Sequence, residues 1–292
     1  MSDAEYTVEH EKIVLAYLNA FKNQHRDLGI AVKQLVYNGW NAEFVQGCVK
    51  KIQAYSSPVE QVAQKAMSLL ESIPHPHITD ADRLNSLTVG NRKPTVSLFL
   101  HHPCVVVLDD FLSHEECDYL VNLATPTFTR NHVVGLDTPT VESEVRTSHG
   151  AVFALRQTPE IALIEDDIAT LINWPATHAE PSQLLRYEEG QQYKAHNDYF
   201  DPGANYAMNT AMGGQRLATF LMYLDDVQEG GDTFFPESGL RVKPKKGRAL
   251  FFSYPQANSN SKTLHAGSPV ISGSKHILVK WYRQRDYFEE YK

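Results

Sequence analysis

His196 and Asp198 stand on either side of a single residue in the stretch Tyr193-Lys194-Ala195-His196-Asn197-Asp198-Tyr199-Phe200. In an extended strand, side chains two apart share a face, so this imidazole and this carboxylate can grip one cation together. A third ligand is offered by His265 in Thr263-Leu264-His265-Ala266-Gly267-Ser268-Pro269, just before a second strand-like run. Two imidazoles and one carboxylate on one face of an octahedral metal leave the opposite face open, which is the donor set of non-haem Fe(II) oxygenation. Lys275 follows ten positions after His265. The run from Lys275 to Trp281 reads as a strand in which Lys275, Ile277, Val279 and Trp281 share a face, and the apolar company places that face inside. A lysine directed into a core needs an anion. An anionic co-substrate on the open side of the metal would supply it. A structural zinc site is the rival reading, but such sites close a four-ligand shell, often with cysteine. None of Cys48, Cys104 and Cys117 lies near either motif.

Positioning these groups falls to a succession of short strands and glycine turns. Strands are expected over 182–187, 193–199, 217–224, 233–235, 240–242, 249–253, 263–266 and 275–283. Eight short strands with turn signals between them predict a double-sheet jelly roll, an α+β domain whose mouth lets both sheets converge on a ligand. Ahead of it, strands are expected over 96–100 and 104–108. Ser113-His114-Glu115-Glu116 caps a helix that carries Cys117, Leu120, Val121 and Ala124 on one side. A second helix, 159–172, has Ile161, Ile164, Ile168 and Leu171 in phase. Between them, residues 131–146 read as a long hairpin around Asp137-Thr138-Pro139. The texture of residues 1–73 is different. Stripes of Ile13, Val14, Tyr17, Leu18 and Phe21, then Leu28, Val32 and Leu35, then Phe44, Val45, Cys48, Val49 and Ile52 predict helices, the third capped by Asn41. Ser57-Pro58-Val59-Glu60 starts a fourth with Val59, Val62, Ala63, Ala66 and Leu70. A small helical bundle over 1–73, serving packing or oligomerisation, with peptide binding as the alternative, is followed by a linker or irregular wrap over 74–95 and a larger domain over 96–292.

Composition narrows the function classes. A chain of 292 residues, 42% hydrophobic and 21% charged, can bury a full core as a globular protein. Its net charge of −8 argues against a nucleic-acid surface, which needs a basic face to neutralise phosphates. Three cysteines, an odd number, do not suggest a disulfide framework. The acidic start Met1-Ser2-Asp3-Ala4-Glu5-Tyr6 lacks an apolar h-region, and no apolar run reaches the length of a membrane span. A soluble chain in a reducing, cytoplasmic setting is the expectation.

The ordered series His196-x-Asp198, His265 and Lys275 resembles the 2-oxoglutarate and Fe(II)-dependent dioxygenases, specifically the prolyl 4-hydroxylase branch. Further phrases carry the resemblance over roughly residues 96–288: Glu144-Val145-Arg146-Thr147-Ser148, Gly213-Gly214-Gln215-Arg216, Tyr223-Leu224, Glu229-Gly230-Gly231-Asp232-Thr233, Pro244-Lys245-Lys246-Gly247 and Lys280-Trp281. The resemblance implies His196, Asp198 and His265 as ligands to Fe(II). It implies Lys275 as partner of the far carboxylate of 2-oxoglutarate, with Tyr187 and Thr233 as hydrogen-bonding neighbours. It also implies Tyr193, Arg216 and Trp281 as residues facing the substrate, and 131–146 as a substrate-covering loop. O2 is the second co-substrate and ascorbate a supportive reductant. One position departs from the pattern: Arg283 stands two residues after Trp281, where many animal and plant members have histidine. The implied reaction hydroxylates a prolyl residue of a peptide or protein, with 2-oxoglutarate decarboxylated to succinate and CO2. Alternatives are hydroxylation of a free imino or amino acid of the proline or pipecolate type, or an inactive binding module, against which the intact His196, Asp198, His265 and Lys275 speak.

Overall fold

The computed structural model describes residues 6–23, 28–37, 40–54, 74–130, 148–203 and 205–288, and the chain divides into two compact units, 1–73 and 74–292. In the first, α1 (Val8–Asn23), α2 (Leu28–Tyr37) and α3 (Ala42–Ala54) enclose a small core of Val14, Leu18, Ala31, Leu35, Val45, Cys48 and Ile52. Asn41 caps α3 as its sequence predicts, its Oδ1 accepting from the Phe44 amide at 3.0 Å. The expected stripe of α1 is narrower than read, since Ile13 is exposed and the buried line runs through Val14 and Leu18. The expected fourth helix and the expected hairpin over 131–146 lie outside the described residues, apart from the latter's neighbour Ser148.

In the second unit, β1 (Thr95–Leu100) and β2 (Cys104–Asp109) form a hairpin, followed by α4 (His114–Ala124), β3 (Thr129–Arg130), β4 (His149–Phe153) and α5 (Pro159–Leu171). Then come β5 (Ser182–Tyr187), β6 (Tyr193–His196), a short α6 (Tyr206–Ala211), β7 (Arg216–Tyr223), β8 (Glu229–Gly230), β9 (Thr233–Phe235), β10 (Leu240–Val242), β11 (Ala249–Ser253), β12 (His265–Gly267), β13 (Val270–Ser272) and β14 (Lys275–Arg283). All pairings are antiparallel. The large sheet has the order β1-β2-β11-β7-β14-β5-β4-β3, and the small one β10-β9-β12-β6. From β5 onward the chain passes repeatedly between β5, β7, β11 and β14 of the large sheet and β6, β9, β10 and β12 of the small one. That alternation is a jelly roll, with the eight expected strands as its walls.

Strand parity sorts the large sheet into two faces. On β14, Leu278 and Tyr282 join Ala218, Phe220 and Met222 of β7 in the core that α4 and α5 cover. Ile277, Val279 and Trp281, with Leu221 of β7 and Leu250 and Phe252 of β11, point the other way, into the space between the sheets. A slip of one residue would exchange these sets, so the two apolar faces fix the register. Helix α4 starts with the expected capping box, Ser113 Oγ accepting from the Glu116 amide and Glu116 reaching back to the Ser113 amide.

The stretch 74–94, read from sequence as a linker or an irregular wrap, packs into this second unit: Ile78, Ala81, Leu87 and Val89 are buried in its core. Arg92 fastens it. Its guanidinium pairs with both oxygens of Glu116 at 2.5 and 2.7 Å and with Asp167 at 2.7 Å, and donates to the Phe111 carbonyl at 3.0 Å. Removing one partner of such a poorly solvated network leaves the others uncompensated, so Arg92→Ala should lower unfolding stability by about 2–4 kcal/mol, read as a lower denaturant midpoint at unchanged m.

Candidate active site

The two histidines are brought together by register. His265 of β12 lies directly opposite His196 of β6 in the small sheet, their ring centroids 4.4 Å apart. Strand β6 ends at His196, earlier than the sequence suggests, so Asp198 lies beyond the ladder. Side chains replace the missing partner strand there. Gln215 exchanges two 2.8 Å hydrogen bonds with the backbone of Phe200, and Arg216 donates to the Asp198 carbonyl at 3.2 Å. The result keeps the carboxylate where an extended strand would have put it. Asp198 Oδ1 is 3.5 Å from His196 Nε2, Oδ2 is 3.7 Å from His265 Nε2, and the three ligand atoms lie within 4.8 Å of one another. Among the described residues this is the one cluster of three or more such donors with metal-binding geometry.

The chemistry of the donors fits a divalent cation. His196 Nδ1 lies 2.9 Å from the Lys194 carbonyl and His265 Nδ1 lies 2.9 Å from the Thr263 carbonyl. A carbonyl only accepts, so each Nδ1 carries the hydrogen and each Nε2 keeps its lone pair toward the other donors. Burial pushes the His265 imidazole down to about 4 against the opposing pull of Asp198, so it is a neutral ligand at physiological pH. Burial alone would raise the Asp198 carboxyl, but His265 and His196, cationic at the acid pH where a carboxyl titrates, and the nearby Arg216 outweigh it and hold it well below the usual carboxylate range. Aromatic walls fix both rings: Tyr193 stacks on His196 at 3.6 Å, and Phe252 and Phe235 flank His265 at 4.8 and 5.7 Å. Oxygen and imidazole donors with a tied second ring nitrogen are what Fe(II) takes, with three positions left for other ligands.

The triad lines a cleft between the sheets, walled by Leu185, Leu221, Ile277 and Val279. Lys275 also lines it, opposite Tyr187 across the β14–β5 ladder and only 3% exposed. Its ammonium donates to the Gly231 carbonyl at 2.6 Å, and the rings of Tyr187 and Tyr223 lie 5.5 and 5.6 Å away. The Gly230-Gly231 turn, both residues at positive φ, lays that carbonyl there; a Cβ on Gly230 would come within 2.3 Å of the Pro269 oxygen. With one acceptor among the described residues, the ammonium has two of its three donors left for a ligand. Burial pulls Lys275 down to about 8, with Asp232 opposing the shift. Thr233, buried beside it, accepts from the Tyr223 hydroxyl at 2.7 Å, which leaves its own hydrogen for an acceptor in the cleft.

Of the residues expected to face the substrate, Tyr193 and Trp281 line the cleft. Arg216 does not. Its guanidinium lies 4.0 Å over the Trp281 ring and 4.8 Å from Phe200, paired with Glu180 through Nε at 2.6 Å and a second nitrogen at 2.8 Å. The charge is therefore spent on Glu180, and the arginine backs the tryptophan instead of presenting itself to a ligand. Arg283 completes the cluster 2.6 Å from Glu180 and donates to the Asn209 carbonyl at 3.0 Å. Sequence reasoning missed four of the groups that build the site: Glu180, Gln215, Thr219 and Tyr254. Thr219 carried a usable signal, being the one hydroxyl in the apolar run Leu217-Ala218-Thr219-Phe220-Leu221 and in phase with Leu221. Glu180, Gln215 and Tyr254 carried none, because nothing local distinguishes them.

Comparison with known proteins places this geometry. Residues 182–283 match the family model described as the 2OG-Fe(II) oxygenase superfamily. Prolyl 4-hydroxylase 1 of Arabidopsis thaliana is 42% identical over 217 residues, covering 68% of this chain and 75% of that protein. Probable prolyl 4-hydroxylase 3 of the same plant is 41% identical over 207 residues, 63% of this chain and 71% of the other. Among solved structures, the viral collagen prolyl hydroxylase of Paramecium Bursaria Chlorella virus-1, in complex with 2OG, is 32% identical with a TM-score of 0.49, covering 61% of this chain and 95% of that one.

Proposed function

Because the chain belongs to the prolyl 4-hydroxylase family of 2OG-Fe(II) oxygenases, we propose that it hydroxylates a prolyl residue of a peptide or protein, using Fe(II), 2-oxoglutarate and O2. The observation that carries the residue assignment is one cleft lined both by a His-Asp-His triad and by a buried, under-partnered ammonium. Bound together there, iron and 2-oxoglutarate supply the oxidation: O2 is reduced, 2-oxoglutarate becomes succinate and CO2, and one oxygen atom enters a C–H bond of the substrate.

The protein's own residues do the rest. His196, Asp198 and His265 hold the cation on one side. Lys275 and Thr233 take the far carboxylate of 2-oxoglutarate, and Tyr187 walls it. Leu185, Leu221, Ile277 and Val279 keep water from the region between, which protects the oxidising step from solvent. Tyr193 and Trp281 present ring surface to the substrate, with Trp281 held in place by Arg216.

Charge favours a peptidyl substrate over a free imino acid. Among the described residues lining the cleft, the charged groups are those of the triad and Lys275, while Arg216 lies behind Trp281, outside the lining and paired with Glu180. A zwitterionic proline or pipecolate would bring a carboxylate and an ammonium with no counter-charge, at the cost of desolvating both. A prolyl residue inside a chain carries neither. Incubation with Fe(II), 2-oxoglutarate and ascorbate, which keeps the iron reduced, should give a one-oxygen mass gain on proline-containing peptides and stoichiometric succinate. The same gain on free proline or pipecolate, with none on peptides, would reverse the substrate assignment. A reducing, cytoplasmic setting is the proposed location, supported by the three unpaired thiols Cys48, Cys104 and Cys117 and testable by fractionation.

A further inference from the structure

Asp198 is held by more than its own backbone. Thr219 Oγ1 lies 2.6 Å from Asp198 Oδ2, and the Tyr254 hydroxyl lies 2.8 Å from Thr219 Oγ1. All three side chains are buried, Thr219 at 1% and Tyr254 at 0% exposure. The hydrogen count fixes the direction of this chain. A ligating carboxylate only accepts, so Thr219 must donate its single hydrogen to Asp198, and Tyr254 must then donate to Thr219. The register builds the relay: Thr219 of β7 sits opposite Phe252 of β11, and the Tyr254 amide is tied to the Leu217 carbonyl at 2.8 Å, so Tyr254 returns over the same strand. Burial, and then the charge of Asp198, keeps the phenol protonated well past its ordinary range, so its donor is not lost.

We propose that Thr219 and Tyr254 are positioning residues for metal binding: the relay occupies Asp198 Oδ2 and holds the carboxylate rotamer, so that the cation is offered a single, pre-set oxygen and its affinity depends on a phenol that never touches it. This rests on the reading of His196, Asp198 and His265 as the metal site. Tyr254 belongs to the apolar cluster of Phe252, Leu221 and Val279, with the Arg216–Glu180 pair near enough to act on its phenol, and partners of this kind typically govern metal affinity by 10–100-fold. It also gives the single oxygen in the Leu217–Leu221 run a task that packing alone does not explain.

The test uses the full chain, stripped of metal and titrated with Co(II) in competition with a chromogenic chelator. Tyr254→Phe, which deletes one oxygen, should bind Co(II) about tenfold more weakly, and Thr219→Val about 10–100-fold more weakly, while Thr219→Ser stays within about twofold of the wild type. Because the two act in series, the double variant should bind no more weakly than Thr219→Val alone. The visible band of bound Co(II), which responds to the number of ligand oxygens, should change in Tyr254→Phe. Wild-type affinity in Tyr254→Phe, or losses that multiply in the double variant, would overturn the relay. Failure of the wild type itself to take up Co(II) would instead overturn the metal-site reading beneath it. Should Thr219→Val not fold, Tyr254→Phe and Thr219→Ser decide the matter between them.

Discussion

His265→Ala should bind divalent metal so weakly that turnover falls by more than about 10³-fold, since a ligand contributes more than the surrounding partners whose loss alone costs 10–100-fold. The side chain sits between Phe235 and Phe252, so the substitution also leaves a small void. Melting curves separate the two effects. In the presence of a chelator, wild type and variant should differ only by the cavity. With metal at about a hundred times the wild-type dissociation constant, the wild type should gain about 2.7 kcal/mol of stability and the variant none. A variant that still gained stability from metal and still released succinate would show that His265 is not a ligand. The pre-set tautomer makes the alternative ring orientation a poor substitute, because turning the imidazole would break the hydrogen bond to the Thr263 carbonyl.

Lys275→Met should raise the KM for 2-oxoglutarate by about 10²-fold, the factor expected when a charge-assisted hydrogen bond worth about 3 kcal/mol is lost. Metal affinity should barely move. The wild-type profile should carry a pH dependence that the variant lacks. Burial holds the free ammonium near pKa 8, so below that pH the site is charged before the dicarboxylate arrives. Above it, binding must take up a proton, and affinity falls about tenfold per pH unit. The stability of the free protein runs the other way. Below pH 8 the cost of burying the charge, about 3 kcal/mol, is present in full; between pH 8 and the ordinary value of 10.5 the unfolded chain holds more protons than the folded one, so stability rises with pH. Saturating 2-oxoglutarate should abolish that rise. A flat KM profile across pH 7–10 would remove Lys275 from the co-substrate end.

Much of this architecture was legible because strand parity is a strict rule. Lys275, Ile277, Val279 and Trp281 sit on the inner face as alternation requires, and His196 with Asp198 end on one side of the cation site although the ladder stops between them. What parity cannot convey is the use of a long side chain as a structural substitute. Gln215 standing in for a strand, and Arg216 spent on Glu180, depend on partners 15 and 36 residues away in the chain. The arginine's type alone suggested a ligand-facing charge, and only the pairing reveals where that charge goes. The wrap over 74–94 was opaque for a similar reason. Its prolines and lack of periodicity resemble a linker, whereas its docking rests on Ile78, Ala81, Leu87 and Val89 entering a distant core and on Arg92 finding Glu116 and Asp167. Strand β4, like the shorter β3, β8 and β13, was not expected; its inner and outer residues do not alternate, since Gly150 and Ala151 are both buried and Val152 is exposed.

The two halves of the jelly roll are unequally built. The small sheet consists of strands of three or four residues, while β7 and β14 of the large sheet run for eight and nine. Both histidines of the triad belong to the frail half and Lys275 to the sturdy half. Iron and dicarboxylate, joined to each other, would therefore act as a clasp across the seam, so the enzyme grows stiffer as it becomes ready to react. Slowed amide exchange at β6 and β12, but not at the centre of β7, is the trace such tightening should leave.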